Sequence, residues 1–216
     1  MFREASAKVL RHLRKFAAQA EGWWFDTTRG VQTSGWVDLK GLTLMGEAKN
    51  CFEYLPSRAA NGRRALLQVP TGDLREFTFV DFGSGKGRML FVAAEFPFRR
   101  IEGVEFAAEL HRQAGENIRR YGNRRRACAP IESLNINAVD YRFPNGKMVL
   151  YFFNPFGPEV MKTVLSNLDA SLDREPREVF LVLVFPELAP LVRSSSRLRP
   201  VEENRRFCIY RAADLA

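Results

Sequence analysis

The sequence predicts an α/β fold, a mostly parallel sheet with helices on both faces, and three observations carry that expectation. From residue 77 onward, short apolar runs of strand length alternate with stretches of helical apolar spacing. Two of the runs, Met148–Phe153 and Val179–Phe185, are apolar throughout rather than at every second position, as in strands covered on both faces. The chain has 216 residues, 46% of them hydrophobic and 27% charged, enough for one sizeable core without disulfide or metal staples.

The elements follow in order. Residues 3–21 place Val9, Leu10, Leu13, Phe16, Ala17 and Ala20 on one stripe and Lys8, Arg11, Arg14 and Lys15 off it, predicting an amphipathic N-terminal helical extension with a basic face. Gly22 to Gly46 reads as irregular or short-stranded. Its Trp23, Trp24, Phe25 and Trp36 form either a packing cluster or part of a substrate pocket. A strand at Phe77–Phe82 runs into glycines. Next come a helix over Gly87–Phe96 stopped by Pro97 and a strand at Ile101–Glu105. Ala107, Leu110, Ala114, Ile118 and Tyr121 mark a further helix, with Gly122 at its C′ position. A weaker strand is expected near Ala127–Ile131, then the run Met148–Phe153. Pro158 and Glu159 open a helix carrying Val160, Val164, Leu165 and Leu168. Val179–Phe185 is the fifth strand, and the tail Leu198–Tyr210 holds one or two more. The expected division is a helical and aromatic/Gly-rich cap segment over 1–50 and an α/β domain over 51–216.

Composition narrows the function classes. Cys51, Cys128 and Cys208 lack CxxC spacing and His12 and His111 stand far apart, so no metal site is expected and the thiols read as reduced. No apolar stretch approaches a membrane span. The N-terminus is too charged for a secretory signal, and Glu4 and Glu21 argue against a mitochondrial presequence, so a cytoplasmic location is expected. The formal charge of +8 includes the arginine clusters 63–64, 99–100, 119–120, 124–126 and 205–206. It suits a polyanionic partner such as nucleic acid, or simply solvated helix faces.

The chemistry concentrates in Val80-Asp81-Phe82-Gly83-Ser84-Gly85-Lys86-Gly87-Arg88, which ends a strand and opens a helix. Glycines at 83, 85 and 87 allow a tight turn and close approach of a ligand to the backbone. Glu105, 24 positions after Asp81, ends the next strand, where a carboxylate accepts hydrogen bonds from ribose hydroxyls. The spacing is GxGxG rather than the dinucleotide GxGxxG, Arg88 standing where the last glycine would fall. Asp81 ahead of the turn would repel a pyrophosphate but can receive an ammonium. The Walker pattern is absent.

These residues resemble motif I and the following acidic position of class I S-adenosyl-L-methionine-dependent methyltransferases, over about residues 54–185. The run VDFGSGKGR…GVEF…ELH…A…NI, with Tyr54-Leu55-Pro56-Ser57 upstream, is similar to a group of small bacterial members. The YxP[ST] element also resembles the lysine methyltransferases of the ATP-synthase c subunit and, more distantly, non-SET histone lysine methyltransferases. The resemblance implies a Rossmann-like seven-stranded sheet and S-adenosyl-L-methionine as cofactor. By it, Asp81, Phe82, Gly83, Ser84, Gly85 and Gly87 hold the methionine end, Glu105 the ribose, and Phe106 borders the adenine. Asn137-Ala138, or Asp140 nearby, would meet the adenine amine.

After the fourth strand, Phe153-Asn154-Pro155-Phe156-Gly157 resembles the [DN]PP[YFW] box of amino-group methyltransferases, with Phe156 in place of the second proline. Asn154, Pro155, Phe156 and Tyr54 are therefore the expected catalytic residues, Asn154 also contacting the cofactor, with Glu53, Tyr54 or Asn154 helping if a lysine must lose its proton. The acceptor expected is a nitrogen of a protein lysine or small molecule. The alternatives are an RNA or DNA methyltransferase, a cofactor-binding domain without turnover, and, disfavoured by the loop spacing, an NAD-dependent oxidoreductase.

Overall fold

The structure, a computed structural model, describes residues 19–46, 53–122, 126–128, 130–195 and 197–212. Most of the predicted amphipathic helix, Cys51, His12 and part of the 124–126 arginine cluster lie outside the described residues.

Seven strands form one sheet: β1 (Phe77–Phe82), β2 (Arg100–Glu105), β3 (Ile131–Asn135), β4 (Lys147–Phe152), β5 (Val179–Val184), β6 (Leu198–Glu203) and β7 (Phe207–Ala212). Their order is β3-β2-β1-β4-β5-β7-β6, with β1 to β5 parallel and β7 antiparallel to both its neighbours. This is the Rossmann-like, mostly parallel architecture the sequence predicts. β1 and β5 are buried at every position, which is why their sequences are nearly continuous apolar runs.

The helices are α1 (residues 19–29), α2 (Ala59–Leu66), α3 (Arg88–Ala93), α4 (Ala108–Arg120), α5 (Pro158–Arg174) and α6 (Ala189–Arg193). One sheet face sets Phe77, Phe79, Val149, Tyr151, Phe180 and Val182 in a core with α2 and α3 residues and with Phe25 of α1. The other sets Val80, Phe82, Met148, Leu150, Phe152 and Leu181 against Met161, Val164, Leu165, Leu168 and Leu172 of α5. Burial of these side chains, each worth roughly 1.5–3 kcal/mol, is the main stabilising term.

Several expectations are corrected. Residues 22–29 are helical, not irregular. Phe25 anchors them in the core, the Arg29 guanidinium lies 4.1 Å over its ring, and Gly30 ends the helix at φ 68°. The third strand begins at Ile131, not Ala127, because buried Cys128 belongs to the connection and packs into the core. β3 is an edge strand whose Glu132, Ser133 and Asn135 dilute its apolar signal. Gly122 does not close α4 with a left-handed turn. Tyr121 is extended there, its ring 4.6 Å from Phe91 and its hydroxyl donating to the Phe91 carbonyl at 3.2 Å. Finally, β5 stops at Val184, and Phe185 takes φ 53° instead of extending the strand.

The strand order reverses between β1 and β4, and in open α/β sheets ligands bind in the crevice beyond the strand ends at such a point.

Candidate functional site

The turn after β1 is built from glycine geometry. Gly83, Gly85 and Gly87 have φ of 74°, 55° and 89°, values that residues with a Cβ rarely adopt. Gly83 and Ser84 donate their N–H groups to the Val104 carbonyl at 2.9 and 3.1 Å, tying the turn to β2. Gly87 is the N-cap of α3. Two of these positions leave no room for a side chain: a Cβ on Gly83 would meet Pro155 at 2.4 Å, and one on Gly85 would meet the Tyr54 ring at 2.1 Å.

Glu105 is buried at the end of β2. Its Oε2 accepts from the Gly85 N–H at 2.7 Å and its Oε1 from the Ala107 N–H at 2.9 Å. Burial raises its pKa, partly opposed by these backbone hydrogen bonds. Asp81, also buried, is pushed well above the ordinary carboxylate range, first by desolvation and then by the charge of Glu105.

A cap segment is fastened over the turn by residues the glycine pattern does not announce. Arg88 is buried and donates from Nε to Thr33 Oγ1 at 2.8 Å and from a terminal nitrogen to Ser34 Oγ at 2.8 Å. Lys86 Nζ donates to the Ser34 carbonyl at 2.9 Å and lies 5.2 Å over the Tyr54 ring. Tyr54 in turn donates its hydroxyl to the Thr33 carbonyl at 2.7 Å. Asn117, buried on α4, accepts from Gln32 N–H and donates to the Gln32 and Lys86 carbonyls. Asp26 holds the same stretch from the other side, accepting from the Thr33 and Ser34 N–H groups. Each such buried bond contributes about 1 kcal/mol net, and more where charge is involved.

Beyond the turn opens a cavity of about 700 Å³, within the usual range for a small-molecule site. The sequence-predicted Tyr54, Gly83, Glu105, Phe106, Asn137, Ala138, Asn154, Pro155 and Phe156 all line it. Others do not. Asp81 is buried without reaching the cavity wall, and Ser84 turns its Oγ toward Gly103 on β2. The Phe82 ring belongs to the core, stacked on Phe152 at 4.8 Å, because its strand position faces α5. Gly85 lies beneath Tyr54, and Gly87 serves α3. Asn137 caps the short helical turn Ala138–Asp140 through its Oδ1 and donates to the Met45 carbonyl at 3.1 Å. Asp140 is not among the lining residues. Of the four early aromatics only Trp36 reaches the cavity; Phe25 is core, and Trp23 and Trp24 are exposed elsewhere.

The wall also includes Leu55 and Phe153, which the quoted motifs contain without a role, and Leu39, Phe185 and Glu187, which the sequence reading gave no site role. Two non-glycine residues have positive φ among the described residues, Asn154 at 42° and Phe185 at 53°, and both line this cavity just past β4 and β5. Asn tolerates that region; a bulky Phe there is strained, and such strain gathers at functional sites. Phe185 is held by its N–H to the Arg206 carbonyl at 2.9 Å and by the Phe153 ring, 5.4 Å away and nearly perpendicular. Among the described residues no cluster of His, Cys, Asp and Glu could hold a metal ion, and no helix is long and apolar enough to cross a membrane.

No family model and no curated protein matches the chain by sequence. Solved structures do match by shape. A protein from Listeria monocytogenes described as a predicted N6-adenine-specific DNA methylase superposes with a TM-score of 0.53 at 15% identity, over 74% of this chain and 52% of that one. This chain thus spans about half of that protein's length. A protein from Pyrococcus horikoshii, provisionally described as an RNA methyltransferase, gives 0.54 at 14% identity, over 82% of this chain and 95% of that one. The ribosomal protein L11 methylase of Lactobacillus delbrueckii subsp. bulgaricus gives 0.50 at 12% identity, over 74% and 80%. At these identities the likeness is one of fold.

Proposed function

We propose that this chain is a class I S-adenosyl-L-methionine-dependent methyltransferase acting on a nitrogen acceptor. The observation that carries the reading is the buried Glu105 carboxylate in the cavity wall at the end of β2, fixed by the Gly85 and Ala107 N–H groups beside the point where the strand order reverses. The Glu105 oxygens accept from the Gly85 and Ala107 N–H groups and keep lone pairs for ribose hydroxyls, so the carboxylate fits an adenosyl ligand. In this reading Phe106, Asn137 and Ala138 border the adenine, Gly83 lies against the methionine end, and Asp81 supports the turn from behind without touching the ligand. Residues 19–46 with Tyr54 and Leu55 form a cap over the α/β domain.

When bound, S-adenosyl-L-methionine supplies a methyl group on a sulfonium that departs as a neutral thioether. The protein must align the acceptor lone pair and exclude water, and alignment alone can lower the barrier by about 7–11 kcal/mol. Asn154, whose left-handed backbone sets it at the end of β4, accepts a hydrogen bond from the acceptor nitrogen through its side chain. Phe156 and Pro155 wall the acceptor, and Tyr54 closes the turn side. An RNA or DNA acceptor is the second reading, supported by the formal charge of +8 and the Asn154-Pro155-Phe156 box.

Thermal denaturation with S-adenosylhomocysteine against NAD tests the reading. At 100 times its Kd the former adds about 2.7 kcal/mol of stability. Stabilisation by NAD and not by S-adenosylhomocysteine would refute the proposal.

A further inference from the structure

Two arginine doublets that stand far apart in the sequence, 63–64 and 205–206, meet in the fold. Arg64 and Gln68, at and just past the end of α2, share a cleft of about 460 Å³ with Arg205 and Arg206 of the β6–β7 turn. Its lining residues are separate from those of the cavity beyond β4. Burial of Ala59, Gly62, Ala65 and Leu66 against the core leaves Arg64 exposed. The turn itself is fixed: Asn204 Oδ1 accepts from the Arg206 and Phe207 N–H groups at 2.9 and 3.1 Å, and Phe207 is anchored in the core. Neighbouring arginines are paired, Arg63 with Glu95 and Arg193 with Glu203. Among the described residues, Arg64, Arg205 and Arg206 take part in no ion pair. Glu202 is the acid of the cleft wall, and its Oε1 already accepts from Asn204 Nδ2 at 3.1 Å.

A guanidinium presents paired N–H donors that match two oxygens of one phosphate, so three without counter-ions around one cleft call for phosphate groups. The cleft is a pocket rather than part of a track. Arg99–Arg100 at the start of β2 and Arg119–Arg120 at the end of α4 lie toward the opposite ends of the parallel strands. Arg100 is moreover paired with Glu102 and Glu132, and the mouth of the cavity carries Glu53 and Glu187. A nucleic-acid backbone is held by cations spread along many phosphates, whereas these are gathered at one point. We propose that the cleft of Arg64, Arg205 and Arg206 binds a compact soluble oligophosphate, a di- or triphosphate group, at a site distinct from the cofactor cavity. The proposal stands independently of the methyl-transfer reading. The two places share backbone. Val184 pairs with Phe207, and the Phe185 N–H donates to the Arg206 carbonyl at 2.9 Å, which holds Phe185 at φ 53° in the cavity wall. An anion that fixes Arg206 therefore also steadies Phe185 at the cavity mouth.

Calorimetric titration of the full chain with inorganic tripolyphosphate tests it. One saturable site per chain is expected, weakened at least about tenfold in Arg205→Gln/Arg206→Gln and in Arg64→Gln. Arg119→Gln/Arg120→Gln removes as much charge as the first variant from another exposed surface and is expected to bind as the wild type does. Absence of saturable binding, or equal weakening in that control, would overturn the proposal. So would tighter binding, at equal phosphate concentration, to a single-stranded oligonucleotide or to phosphatidylglycerol vesicles, which would assign the arginines to a polymer or a membrane. Hydrogen exchange gives a second readout. With tripolyphosphate bound, exchange of the Phe185 amide is expected to slow at least about threefold in the wild type and not in Arg205→Gln/Arg206→Gln. An unchanged rate in the saturated wild-type protein would overturn the link between cleft and cavity.

Discussion

The Gly85 N–H donates to the Glu105 carboxylate at 2.7 Å while the Tyr54 ring covers the same glycine from the other side, close enough that a Cβ would lie 2.1 Å from it. The turn is thus clamped between an acid on β2 and an aromatic ring from a segment about thirty positions earlier. From sequence alone Gly85 reads as a turn residue open to a ligand; in the structure the Tyr54 ring takes up that side of it.

Gly85→Ala is therefore expected to destabilise as well as to abolish binding. The left-handed backbone and the collision with Tyr54 together cost about 2–4 kcal/mol, a fall in Tm of roughly 5–15 °C for a chain of this size. Calorimetry with and without S-adenosylhomocysteine checks both effects; an unchanged Tm would mean that Tyr54 moves freely.

Asp81 gives the protein a pH signature. Its carboxyl is held well above its ordinary value of 3.8 by burial and then by Glu105. The folded state therefore binds a proton that the unfolded state releases, and stability declines as pH rises above the ordinary value toward the raised one. Glu105, also raised, acts in the same direction. Asp81→Asn is expected to raise the Tm of the ligand-free protein at about pH 7.5 more than at about pH 4.5. A Tm lowered equally at both pH values would show that Asp81 is not protonated by its surroundings.

Asn154 separates backbone from side chain. Ala must adopt φ 42° without a local hydrogen bond, at about 1 kcal/mol, whereas Gly adopts it freely. Both Asn154→Ala and Asn154→Gly are expected to keep the S-adenosylhomocysteine thermal shift and to lose turnover at least about a hundredfold. Turnover retained in Asn154→Gly would reduce Asn154 to a turn residue.

Arg88→Met removes the buried guanidinium that holds Thr33 and Ser34. A loss of about 2–4 kcal/mol is expected, and hydrogen exchange should rise first in residues 31–37. Exchange rising uniformly across the chain would argue that Arg88 supports the whole core rather than the cap.

The sequence by itself determined the alternation of strands and helices from β1 to β5, the two-sided burial of β4 and β5, and the acid–glycine turn–acid sequence from Asp81 to Glu105, while α2 and α6 carried no expectation. Those signals are local: apolar periodicity reports which faces are covered, and glycine spacing reports where φ turns positive. Tertiary structure alone decided the rest. It turned Phe82 and Ser84 away from the cavity, assigned Lys86 and Arg88 to the cap, and continued helix α1 to Arg29 because Phe25 found a core to enter. It also brought Trp36, Leu55, Phe185 and Glu187 to one mouth. These residues come from segments far apart in the chain, and neither propensity nor periodicity encodes which distant loops meet at a sheet edge; packing of the whole core does.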